Sequence, residues 1–64
     1  MDWVYGETQH AYIAVTGAYR CRVYRERSGT WTAIVIHRAE ATVQEDFPTA
    51  DRAMIWCKAQ VAKA

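Results

Sequence analysis

Residues 30–38, Thr-Trp-Thr-Ala-Ile-Val-Ile-His-Arg, constrain this chain more than any other segment. β-Branched and aromatic side chains fill the segment, as suits an extended strand. Side chains alternate across a strand, so Trp31, Ala33 and Val35 share one face and Ile34 and Ile36 the other. Both faces are apolar. A chain of 64 residues has material for one small core. One face of this strand can therefore be covered from within, and the other calls for a different cover.

The flanking segments supply the rest of a small domain. Residues 12–27 are rich in strand formers, with Gly17 marking a turn, bend or bulge. Ser28-Gly29 is a hairpin signal. Residues 41–47 read as a further, more polar strand, suited to a sheet edge. Pro48 stops it, Thr49 is a good helix N-cap, and Asp51 falls in the first turn, where the helix dipole favours negative charge. Lys58 and Lys63 lie toward the other end. Helical spacing places Ala50, Ala53, Trp56, Cys57 and Val61 on one stripe flanked by Met54, whereas Ile55, Ala59 and Ala62 point elsewhere. The expected fold is α+β: a three- or four-stranded antiparallel sheet with one C-terminal helix packed across one face. The whole chain reads as a single domain, with residues 1–10 as an arm or short strand, 11–47 as the sheet and 49–63 as the helix.

Two hairpin registers are open. A two-residue turn at Ser28-Gly29 pairs Val23 with Ile34 and Cys21 with Ile36. A three-residue turn over Arg27–Gly29 pairs Val23 with Ala33, Cys21 with Val35 and Arg25 with Trp31. A slip of one residue exchanges the faces. In both registers Arg20, Arg22 and Tyr24 lie on the face away from Val23, so the helix-free face bears arginine either way.

Charge is distributed unevenly although the net charge is only +1. Arg20, Arg22, Arg25, Arg27 and Arg38 stand against Glu26 alone, whereas Glu40, Glu45, Asp46 and Asp51 follow without a base between them. Such a dipolar chain points to an anionic partner or to self-pairing. The two cysteines, Cys21 and Cys57, lie among apolar residues and read as reduced core thiols. His10 and His37 lack ligand-spaced companions, so neither a metal site nor a cofactor is expected. A catalytic cleft has little room in a sheet with one helix, and no enzyme activity is expected. The N-terminus shows no export signal and no segment is long enough to span a membrane, which places the expected location in the cytoplasm.

The run from Tyr19 to Trp56 resembles the three-stranded sheet and helix of the plant ethylene-response-factor DNA-binding domains. It also resembles the arm-binding domains of phage tyrosine recombinases. The shared pattern is carried by Arg20, Arg22, Gly29, Trp31, Ala33, Val35, Phe47, Thr49, Ala50 and Ala53. HicB-like antitoxins show a comparable order of strands and helix. The DNA-binding resemblance implies that Trp31, Ala33 and Val35 face the helix. It implies that Arg20, Arg22, Thr30, Thr32, Ile34 and Ile36 face the major groove. The chain departs from the pattern by carrying Ile34 and Ile36 where those families carry charged readers.

Two functional expectations follow. The first is a non-enzymatic DNA-binding module of phage or mobile-element type. Arg20, Arg22, Arg25, Arg27 and Arg38 would contact phosphates or guanine edges of duplex DNA, with Thr30 and Thr32 adding hydrogen bonds. The second is a homodimeric protein-interaction module, antitoxin-like or a phage accessory protein, with Tyr24, Ile34 and Ile36 in the interface.

Overall fold

The structure is a computed structural model and describes residues 1–63. Five strands and one helix follow in order: β1 (Val4–Gly6), β2 (Ala11–Thr16), β3 (Tyr19–Arg25), β4 (Trp31–His37), β5 (Glu40–Phe47) and α1 (Ala50–Ala62). The strands form one antiparallel meander in the spatial order β1 to β5. The fold is the expected α+β sheet and helix, with more strands than the three or four expected. β1 falls in residues 1–10, the segment expected as an arm or short strand, and brings the sheet to five.

Each connection uses backbone that its residues permit at different cost. Gly17, at φ 55°, opens the two-residue turn between β2 and β3 and meets no steric penalty there. Between β3 and β4 the three-residue connection Arg27–Gly29 is adopted. Glu26 N–H donates to the Thr30 carbonyl at 2.7 Å, Gly29 N–H donates to the Glu26 carbonyl at 3.0 Å, and Gly29 takes φ 92°. Val23 consequently pairs with Ala33, Cys21 with Val35 and Arg25 with Trp31. Between β4 and β5 both central residues, Arg38 and Ala39, are left-handed at φ 52° and 67°. That geometry matches the twist of a two-residue hairpin but favours Asn and Gly over Arg and Ala.

A bulge corrects the phase of β5. Ala33 pairs with Gln44 and Trp31 with Phe47, so Glu45 and Asp46 together oppose Thr32. Asp46 absorbs the extra residue at φ 67°. Without it Phe47 would point away from the helix. With it the Phe47 ring meets Trp56, centroids 5.9 Å apart.

Thr49 caps α1 as expected: its hydroxyl oxygen accepts from the Arg52 N–H at 3.2 Å. Ala53 and Cys57 are fully buried against the sheet, and Ala50, Met54, Trp56 and Val61 pack partly buried around them. Lys63 is the C-cap, and the last turn itself holds no base.

Small residues dominate the core of this leucine-free chain. Its buried members are Ala14, Cys21, Val23, Ala33 and Val35 from the sheet, with Ala53 and Cys57 from the helix. Small side chains at the contact let helix and sheet approach closely. The large apolar area is displaced to a rim of Trp3, Tyr12, Tyr19, Trp31, Phe47 and Trp56. Trp31, Ala33 and Val35 thus face the helix, and the question of the second sheet face becomes concrete.

Candidate interaction face

Pairing partners in an antiparallel sheet share a face, so the register composes the helix-free face row by row. One row crosses all five strands: Val4, Ile13, Arg22, Ile34 and Val43. The row beside it holds Val15, Arg20, Ile36 and Ala41. On the other side lie Gly6, Ala11, Tyr24 and Thr32. Two rows of aliphatic side chains therefore surround two guanidinium groups on the central strand.

Among the described residues no helix or strand covers the two aliphatic rows; on this face only the Gln9 side chain reaches over Gly6 beside Ile13, and Ala11 and Thr32 are fully buried. The helix lies on the opposite face. The N-terminal arm goes there too: Trp3 packs on the helix-side core, and the Tyr5 ring meets Tyr12, which in turn meets Trp31, at centroid distances of 5.0 and 6.1 Å. Val4, Val15, Val43 and Ile36 remain 67, 65, 51 and 38% exposed. Ile13 and Ile34 are half-buried among them. A shallow depression of about 310 Å³ opens between Gln9, Ile13, Arg20, Arg22 and Ile36. Contiguous apolar surface of this kind is a common feature of interaction sites.

The structure divides the candidate polar residues. Arg20 and Arg22 are exposed on this face, and neither of their rows contains a carboxylate. The Arg22 guanidinium lies over the Tyr24 ring, 5.1 Å from its centroid, a cation–π contact that holds it along the strand. Arg38 sits in the β4–β5 turn, at the end of the sheet nearer Arg20. Arg25 belongs to the helix-side rows, paired with Trp31, and Arg27 lies in the β3–β4 connection at the far end. There Arg27 lines a shallow cavity with Glu26, Ser28, Thr30, Glu45 and Asp46. The five arginines do not form one patch.

The threonines are also committed. Thr32 is fully buried and its hydroxyl donates to Glu26 Oε1 at 3.0 Å. It is a structural post under the sheet face and has no free donor for a ligand. Thr30 Oγ1 shares a hydrogen bond of 2.9 Å with Ser28 Oγ within the connection.

Sequence reasoning missed Val4, Ile13, Val15, Ala41 and Val43 as members of this face, and Glu26 as its acidic end. A signal was present in Ala-Tyr-Ile-Ala-Val-Thr, residues 11–16, where both alternating sets are apolar, as in β4.

Across the interface, Cys21 and Cys57 are unbonded neighbours. Burial raises both thiol pKa values. Cys57 is pushed up to about 12 by burial and by the Cys21 thiol beside it. Both stay protonated and unreactive near neutrality. Among the described residues no cluster of three or more His, Cys, Asp or Glu could hold a metal ion. No helix there is long and apolar enough to cross a membrane. Comparison with protein-family models, curated proteins and solved structures finds no match.

Proposed function

We propose that this chain is a non-enzymatic interaction module that buries its helix-free sheet face against a protein partner. The observation that carries this reading is the pair of aliphatic rows left uncovered by both the helix and the N-terminal arm. Aliphatic side chains interleaved with arginine and tyrosine suit the centre of a protein interface. Burying each large aliphatic group contributes roughly 1.5–3 kcal/mol, and several lie side by side.

Duplex DNA is the second reading, and a specific observation favours it: Arg20 and Arg22 stand on the central strand with no acid in their rows, and Arg38 lies toward the same end. Size weighs against it. The major groove is about 12 Å wide and admits a two-stranded ribbon. Five strands at ~4.8 Å spacing span roughly 19 Å between the outer strand axes. With β3 in the groove, the outer strands would bring Val4 and Val43 toward the phosphate walls, where apolar groups gain nothing.

The test is site-specific photo-crosslinking in cells producing the full chain. A benzophenone side chain is placed at Val15 or Val43 on the face, and at Ile55 on the outer side of the helix as control. Protein adducts from Val15 and Val43, without adducts from Ile55, are expected. Nucleic-acid adducts in their place would transfer the proposal to DNA. Equal, sparse labelling at all three sites would remove both readings.

A further inference from the structure

We infer that the partner of the helix-free face is a second copy of this chain, docked sheet to sheet about a two-fold axis that crosses β3 at the level of Val23. The inference rests on the protein-interface reading above and names its occupant.

The argument begins with the order of side chains along β3. On the helix-free face it reads Arg20, Arg22, Tyr24 and then Glu26, whose carboxylate is fixed on that side by the Thr32 hydroxyl. The order is self-complementary on reversal. A two-fold axis lying between two sheets and running across the strands sets β3 antiparallel to β3 of the second copy. Arg20 then lies opposite Glu26 of the second copy, and Arg22 opposite its Tyr24. Each contact occurs twice, as an isologous interface requires. Arg20, which finds no carboxylate in its own row, finds its counter-charge across the axis, and Arg22 meets the Tyr24 ring of the second copy.

The same operation matches size. On β2 the bulky Ile13 comes opposite Ala11 of the second copy, whose small side chain is fully buried. On β4, Ile34 comes opposite Thr32, likewise fully buried beneath its neighbours, so neither Ala11 nor Thr32 raises a bulky side chain toward the second copy. Large side chains opposite small ones are what two interdigitating sheets about 10 Å apart require. Stacked sheets cross at about 30°, which displaces positions away from the axis, within reach of an arginine side chain.

The competing in-plane axis, parallel to the strands, fails on charge. It puts Arg20 against Arg20 and Arg22 against Arg22, four guanidinium groups in a desolvated centre without an anion. The area is adequate but modest. At ~4.8 Å between strands and ~3.3 Å per residue, the sheet offers roughly 500 Å² per copy, about 1,000 Å² for both. That is the lower bound for a specific interface, and because area alone does not set affinity the dimer is sought across the micromolar range.

Sedimentation of the full chain from low to high micromolar concentration tests this. The expected result is a reversible species of twice the 7.4 kDa chain mass. Arg20→Glu and Glu26→Arg should each raise the dimer Kd about tenfold or more, and the double variant should recover most of that loss, because the swap restores opposite charges across the axis. Glu26→Gln keeps the acceptor for Thr32 and loses the charge; it should weaken the dimer while leaving the unfolding midpoint unchanged at concentrations where the chain is monomeric, separating interface from fold. Two failing single variants with no recovery in the double would overturn the axis. A wild-type chain that stays monomeric at high micromolar concentration would overturn the second copy as occupant. In that event, crosslinks from Val15 and Val43 to another protein would leave the broader interface reading standing, and their absence would remove it as well.

Discussion

Cys21 on β3 and Cys57 on α1 meet across the helix–sheet interface, both essentially without solvent contact and both held as thiols. The contact joins two of the small residues that let the helix sit close to the sheet. It also gives the fold a dependence on pH.

The direction follows from proton linkage. Cys57 ionises at about 12 in the folded chain, against about 9 when unfolded. Above pH 9 the unfolded chain therefore binds fewer protons than the folded one. Stability is complete below pH 9 and is lost as pH rises toward 12, at ~1 kcal/mol per pH unit from this thiol alone. The raised Cys21 pKa acts in the same direction. Denaturant titrations from pH 7 to 11 should show this alkaline loss, and Cys57→Ala should flatten it. In the native state neither thiol should react with an aromatic disulfide reagent at neutral pH. Rapid modification of folded protein would contradict the buried placement.

Ala53 tests the close approach of helix and sheet. It is fully buried in the core. Ala53→Leu adds three carbons where the packing is tightest, and overpacking costs about 1–3 kcal/mol. The same change at Ala59, exposed on the helix, should alter stability by less than about 0.5 kcal/mol. Equal effects at the two sites, measured by thermal unfolding, would mean that the helix presents another face to the sheet.

The β4–β5 turn carries strain that can be removed. Arg38 and Ala39 both hold positive φ in a turn that Asn-Gly adopts readily. Arg38→Asn with Ala39→Gly should stabilise the fold by about 1 kcal/mol, by relieving the two left-handed residues. A drop in the unfolding midpoint would show that the Arg38 side chain makes a compensating contact.

Much of this was legible in the residues themselves. The two-sided strand β4, the Thr49 cap and the Ala53/Cys57 stripe follow from local chemistry, and the structure places them as read. The hairpin register was not legible, because Ser28-Gly29 suits a two-residue or a three-residue connection equally well. It was settled by which face could receive the helix: Cys21, Val23, Ala33 and Val35 together make a small apolar surface only in the adopted pairing. The Asp46 bulge escaped notice because Glu-Asp before an aromatic carries no turn signature. Thr32 looked available for a ligand because its bond to Glu26 depends on that register and on the bulge opposite it.

The division of the arginines makes a last prediction about nucleic acid. If duplex DNA binds the helix-free face, Arg20, Arg22 and Arg38 are the groups that can reach phosphate from that side. Three neutralised phosphates give a log–log salt slope of about −2.7. Arg20→Ala with Arg22→Ala should remove most of that affinity, whereas Arg25→Ala with Arg27→Ala should leave it nearly unchanged. Five participating arginines would instead give a slope near −4.5, and the second pair of substitutions would then matter as much as the first. Because the proposed dimer uses the same face, added duplex should also lower the fraction of the double-mass species at fixed protein concentration. DNA binding that leaves the dimer population untouched would place the two partners on different surfaces, and the arginines at the Arg25 end would become the candidates for phosphate contact.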